Sequence, residues 1–384
     1  MPSGPAAGRP LAAAATGSMT HADPVPRALS DLLIITPQFV ACLCVAGLTT
    51  FLAACYFARQ HRRVAAVVAG LLAFLLLPAT AADAFNAHYQ YLPRVADVVN
   101  TPTWPTARAA VVLNTAKPAP PEPTGAVVQL SLPGRVSGFG SHAAYIYLPP
   151  QYFLEPTRRF PVVYLIHGSP GGPIDWFRSA RAAQAGALAA KAGTPTIIVA
   201  PRASRSWTDD SECVNRPQEH VETYLAVDVP AGVDRLLRTV ATRTGRVIAG
   251  NSAGGYCALN VGLRHRDVFS GIIDLSGYDH PTYDGGMAAL FGPRPSLGAT
   301  VTANDPSQYV KTLPAGPSMA IWIDTGRSDD VPRRNAHRML GLLRSAGQQV
   351  TLHERAGGHD YGVWRPALQE SLLAMARKMT NATL

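Results

Sequence analysis

Apolar and polar positions follow two different patterns along the chain. Near the N-terminus two apolar runs stand out. One is roughly Leu32–Ala58, with the core FVACLCVAGLTTFLAACYFA, and the other is Val64–Ala82, VAAVVAGLLAFLLLPATAA. Each holds about the twenty residues a helix needs to cross a bilayer. From Gly125 onward the runs shorten and alternate. GAVVQLSLPG and HAAYIYLPP predict an early antiparallel strand pair. FPVVYLIHG, TPTIIVAPR, RVIAGNS, FSGIIDLSG, PSMAIWIDTG and QQVTLHERAGGH then read as strands. Between and after them, SARAAQAGALAAKAG, HVETYLAVDVPAGVDRLLRTVA, AGGYCALNVGLRH, RRNAHRMLGLLRSAG and YGVWRPALQESLLAMARKM carry helical periodicity. Continuous apolar strands alternating with helices predict an α/β domain whose mainly parallel sheet is covered on both faces. The expected organisation is a disordered segment at 1–31, a two-helix membrane anchor at 32–82, a proline-rich linker at 83–124 and a catalytic domain at 125–384.

Charge sharpens the membrane reading. Only 15% of residues are charged while 47% are hydrophobic. The loop RQHRR (Arg59–Arg63) separates the two apolar runs and, by the positive-inside rule, lies in the cytoplasm. Everything after Ala82 is then extracytoplasmic. A cleaved signal peptide is disfavoured, because some thirty residues precede the first run and a second run follows it directly. The net charge of +9 suits an anionic lipid surface. No other Lys- or Arg-rich run or nucleic-acid motif is present, so nucleic acid is not an expected partner. Cys42, Cys44 and Cys55 fall in the first apolar run, where they pack as small apolar residues. Cys213 and Cys257 fall in the outer region, where they either pair or remain two buried thiols; spacing alone does not decide.

Candidate chemistry sits beyond the carboxyl ends of the predicted strands, where parallel sheets keep their sites. Gly250-Asn251-Ser252-Ala253-Gly254 fits G-x-S-x-G, directly after a strand and before a helix. Such a turn exposes a serine for nucleophilic attack, and small residues on either side relieve its crowding. A serine hydroxyl still needs a base and donors for the oxyanion. His359, after the glycines of RAGG at the end of the last strand, is the expected base. The acid that orients it is expected in IDTGRSDD, at Asp329 in preference to Asp330, which suits a helix cap better. Backbone amides of Ser169, in LIHGSPGG, and of Ala253 are the expected oxyanion donors.

With those residues placed, the region from Gly125 to the C-terminus resembles the putative-esterase (esterase D) group of α/β-hydrolases. That group includes S-formylglutathione hydrolases, feruloyl esterases and mycolyltransferases. The resemblance rests on YIYLPPQY, VVYLIHGSPGGPIDWF, IAGNSAGGYCAL, IDTGRSDD and GGHDYGVWRPAL. It implies an α/β-hydrolase fold and acyl transfer through a serine ester on Ser252, with Asp329 and His359 as partners, water or an alcohol as acceptor, and no metal or cofactor. The mycolyltransferases differ in being secreted and in using a glutamate as the acid. By the same resemblance, Trp207, Asp209 and Glu222 in the stretch Ala203–Tyr224 border the substrate pocket; the bare alternative is a solvated loop with Glu222 in a first helical turn. The expected partner is an ester at the membrane, such as an envelope lipid or acylated glycan. A non-catalytic envelope-binding module on a hydrolase scaffold is the reading from another class. A complete Ser–Asp–His set argues against it. The oligomeric state is not legible.

Overall fold

A computed structural model of the chain describes residues 32–89, 91–99, 104, 106, 109, 112 and 123–383. The expected disordered segment at 1–31 and parts of the linker at 83–124, chiefly 100–103 and 113–122, lie outside the described residues. The first apolar run forms helix α1 (Pro37–Arg59). Thr36 starts it, its hydroxyl accepting the Phe39 N–H at 3.3 Å, and Pro37 takes the first helical position, where a missing N–H costs nothing. The second run forms α2 (Arg63–Tyr89). Both helices are long and apolar enough to cross a membrane. Their outward side chains are bare, with Val64 80% and Phe74 73% exposed.

Helix α2 does not end at Ala82 but continues through Asp83-Ala84-Phe85-Asn86-Ala87-His88-Tyr89. This stretch contains neither Gly nor Pro, so nothing local breaks the helix. Its last two turns therefore belong to the region expected as linker.

Eight strands form the central sheet: β1 (Ala126–Gly134), β2 (Gly140–Leu148), β3 (Val162–Ile166), β4 (Ile197–Ala200), β5 (Arg246–Asn251), β6 (Gly271–Leu275), β7 (Ala320–Gly326) and β8 (Gln349–Arg355). Their spatial order is β1-β2-β4-β3-β5-β6-β7-β8. The β1–β2 and β2–β4 pairs are antiparallel and the rest are parallel. Every residue of β3, VVYLI, is buried, which requires cover on both faces. On one face Val163 and Leu165 pack with α3 (Ala182–Lys191) through Ala185 and Ala189. On the other, Val162, Tyr164 and Ile166 join Val229 and Val233 of α4 (Val229–Leu236) and Leu259 of α5 (Ala253–Arg264). Met339 and Leu343 of α6 (Asp330–Ser345) complete that face. Trp364, Leu368 and Leu372 of α7 (Tyr361–Thr383) complete the first. Each such fully buried aliphatic or aromatic side chain stabilises the fold by about 1.5–3 kcal/mol, so the two layers together hold the sheet between helices and fix its loops.

This is the expected α/β-hydrolase arrangement, a mainly parallel sheet with helices on both faces, and it sets β5 near the middle. A π-helical turn at Tyr224–Asp228 precedes α4. Three short helices, Met287–Phe291, Leu297–Thr302 and Pro306–Tyr309, fill the connection between β6 and β7. Cys213 and Cys257 are joined in a disulfide, which ties the loop after β4 to α5.

Candidate active site

The site begins with a corner that only certain residues can make. Ser252, between β5 and α5, has φ 55° and ψ −126°, a conformation that L side chains rarely adopt. The corner is held from both sides: the Ser252 N–H donates to Leu275 O at 2.9 Å, and the Ser252 carbonyl accepts the Gly255 N–H at 2.8 Å. The glycines of the motif are sterically required. A Cβ on Gly250 would lie 1.8 Å from Gly254 O, and one on Gly254 would lie 2.1 Å from Ile166 O. Both obstacles are backbone, so neither can yield.

The other two residues arrive from neighbouring strand ends. Ser252 Oγ lies 2.8 Å from His359 Nε2, and His359 Nδ1 lies 2.7 Å from Asp329 Oδ2. Asp329 is buried while the His359 ring is about one-third exposed. Backbone bonds clamp the loops after β7 and β8 together: the Arg327 N–H donates to Arg355 O at 2.7 Å and the Ser328 N–H to Gly357 O at 3.0 Å. The His359 loop is shaped by Asp360, whose carboxylate accepts from the amides of Gly358 and Gly362 at 3.1 and 2.7 Å. Trp364 meets the His359 ring edge-on at 4.9 Å. Asp329 occupies the cap position of α6, yet its side chain caps nothing and turns to His359 instead. Asp330 lies in the first helical turn with its side chain 71% exposed.

A cavity of about 240 Å³ opens over Ser252 and His359, walled by Ser169, Tyr278, Tyr361 and Trp364. Ser169 therefore stands at the cavity, and Ala253 follows Ser252 at the start of α5. Among the described residues no acceptor takes the amide of either. His167, one residue before Gly168, is not part of the relay. It is buried and braces the loop, its Nε2 accepting the Ala203 N–H at 3.1 Å and its Nδ1–H donating to Gly168 O at 2.9 Å. Desolvation holds its pKa down to about 4, so the ring stays neutral.

Two of the three expected pocket residues are corrected. Glu222 faces a different cavity at the C-terminal end of α5, where it is buried and accepts from Arg264 Nε at 2.8 Å and lies 3.0 Å from His265 Nε2. Those contacts draw it inward, and together they hold its carboxyl below the usual range despite burial. Asp209 braces its own loop, accepting from the Arg205 amide at 3.2 Å and pairing with Arg216 at 3.2 Å. Neither borders the Ser252 cavity. Trp207 comes nearer: it stacks on Tyr91 at 5.9 Å, and Tyr91 is itself a wall of the cavity. The sequence reading missed His88, Tyr91, Tyr278, Tyr361 and Trp364 at this cavity. Tyr361 and Trp364 were within reach, since both follow His359 in the segment DYGVW.

Known proteins share the sequence and fold of this domain. The family described as Putative esterase matches residues 140–375. An uncharacterised protein of Corynebacterium glutamicum is 30% identical over 267 residues, which span 66% of this chain and 62% of that one. An esterase of Mycobacterium tuberculosis is 26% identical over 258 residues, spanning 60% of this chain and 55% of its own length. This chain thus spans less than two-thirds of either relative. The solved structure of a ferulic acid esterase superposes with a TM-score of 0.56 at 26% identity, covering 66% of this chain and 98% of that one. The match over most of the α/β domain, with an α/β-hydrolase sheet beneath it, establishes that the chain belongs to the putative esterase family of α/β-hydrolases.

Proposed function

We propose that the chain is a membrane-anchored, extracytoplasmic serine esterase that cleaves carboxylic esters through an acyl-enzyme on Ser252. The observation that carries this is the relay of 2.8 and 2.7 Å from Ser252 through His359 to Asp329, built on a serine held at positive φ. With Asp329 accepting the Nδ1–H, the lone pair of Nε2 faces the Ser252 hydroxyl. Oγ attacks the ester carbonyl carbon as its proton passes to Nε2. The oxyanion takes hydrogen bonds from the Ser169 and Ala253 amides. The C–O bond to the leaving alcohol then breaks, and Nε2 returns the proton to it. Water, activated by the same ring, releases the acid and restores Ser252.

The basic loop Arg59–Arg63 and the Cys213–Cys257 disulfide both support an extracytoplasmic catalytic domain, since disulfides persist in oxidising compartments. The finer alternative is an acyltransferase that resolves the same acyl-enzyme with a sugar or lipid hydroxyl. The full chain in detergent, mixed with a p-nitrophenyl ester, tests the reading. It should release a burst of nitrophenol equal to the enzyme present, and product analysis with an added alcohol divides hydrolysis from transfer. Turnover that survives Ser252→Ala unchanged would sink the proposal.

A further inference from the structure

The membrane helix does not merely tether the catalytic domain; its end is built into the cavity. His88, in the last turn of α2, and Tyr91, just beyond it, line the same cavity as Ser252 and His359. Tyr91 donates its hydroxyl to the carbonyl of Pro170, next to Ser169. Its ring stacks between Trp207 at 5.9 Å and Tyr361 at 5.9 Å, and Phe85 extends the stack at 5.7 Å from Trp207. Three further contacts fix this segment. Asn86 and Leu92 exchange two hydrogen bonds of 2.9 Å, tying the end of the helix to Leu92. Asp97, buried, pairs with Arg365 at 2.8 Å and Arg181 at 3.5 Å. The residues before α1 pair with it as well, the Ile34 N–H donating to Pro93 O at 3.0 Å.

The height of this wall follows from the helix rise. About twenty residues at 1.5 Å each cross a hydrocarbon core of roughly 30 Å. Counted from Val64, the core ends near Asp83, the first charged residue of α2 beyond Arg63. His88 is five residues further, about 7 Å along the axis, whereas the headgroup layer is roughly 5–8 Å deep. Phe85 and Trp207 are 44% and 41% exposed, at the level where aromatic side chains anchor membrane proteins.

Resting on the Ser252 reading, we infer that His88 and Tyr91, backed by Phe85 and Trp207, form the membrane-facing wall of the cavity and select amphiphilic esters whose carbonyl is presented at headgroup depth. Tyr91 and Trp207 are positioning residues: they hold the entrance against the lipid surface and do not touch the proton relay. A water-soluble ester reaches Ser252 without this wall, so the wall is felt as a ratio between substrates.

The test uses the full chain in phosphatidylcholine nanodiscs. Two probes are compared, p-nitrophenyl acetate in water and p-nitrophenyl palmitate dispersed in the disc. Rates are divided by the fraction of protein that a fluorophosphonate labels, which discounts misfolded material. Tyr91→Ala and Trp207→Ala should each lower the palmitate rate at least tenfold more than the acetate rate, and Tyr91→Phe, which keeps the ring, should preserve the wild-type ratio. Equal losses on both probes, or none, would overturn the inference while leaving Ser252 as nucleophile. Wild type that labels and cleaves acetate but ignores palmitate would overturn it too. Wild type that neither labels nor cleaves would bring down the Ser252 reading, and this inference with it.

Discussion

Replacing Asp329 by asparagine isolates one contact of the proposed relay. The carboxylate oxygen lies 2.7 Å from His359 Nδ1. When Nε2 takes the serine proton, the ring becomes a cation facing a buried anion. Unit charges about 4 Å apart at an effective dielectric near 20 attract by about 4 kcal/mol. At about 1.4 kcal/mol per decade, losing that attraction slows the reaction roughly 10³-fold. Asparagine adds a second fault: its amide can donate to Nδ1, which moves the ring proton to Nε2 and removes the acceptor that Ser252 needs. Asp329→Asn should therefore lower kcat/KM by about 10³–10⁴-fold with little change in thermal stability. Asp330→Asn is the internal control, since that side chain is 71% exposed and only 4.0 Å from Arg333, and it should stay within about twofold of wild type. The assay is p-nitrophenyl ester turnover by the full chain in detergent. An Asp329→Asn enzyme keeping more than about a tenth of wild-type activity, or an equal loss at Asp330, would refute the reasoning.

Other consequences are structural. Gly254→Ala places a Cβ against Ile166 O, and Gly250→Ala places one against Gly254 O, so each should cost about 3 kcal/mol or more and abolish fluorophosphonate labelling; wild-type melting in either variant would contradict the packing. The Cys213–Cys257 disulfide closes a 44-residue separation, which by chain entropy is worth about 4 kcal/mol. Cys213→Ser with Cys257→Ser should thus lower the melting temperature by about 10 °C, and an unchanged melting curve would show the bridge to be idle. Asp274, near the Ser252 corner, is pushed up to about 7, chiefly by burial, with the Asp279 charge adding and the Gly277 amide opposing. The unfolded chain releases that proton near pH 4 while the folded chain keeps it, so wild type loses stability as pH rises from about 4 to about 7. Asp274→Asn should remove that loss, its advantage over wild type opening across the window and levelling above it; a constant difference at all pH values would refute the assignment.

How much of this was legible in the sequence depended on range. All eight strands of the sheet were readable, because the inner ones are short apolar runs and the outer ones alternate, each closed by turn residues. Ser252, Asp329 and His359 were readable because each sits just past a strand end, where topology alone brings loops together. Glu222 was misplaced because its partners Arg264 and His265 lie more than forty residues away, and nothing local reveals that it turns inward. Asp209 was misplaced because a loop aspartate looks alike whether it meets substrate or braces its own loop with Arg216. The reach of α2 into the cavity was hidden for the same reason: Asp97 and Arg365 are 268 residues apart. The helices between β6 and β7 are too short to show periodicity.

The central claim is that Ser252 is the nucleophile, and labelling tests it most directly. The full chain is treated with a fluorophosphonate, digested, and the modified peptide identified by mass. The account predicts one adduct, on Ser252, formed with loss of ester activity in equal proportion and absent from Ser252→Ala. An adduct on another residue, or full activity after Ser252 is blocked, would contradict it.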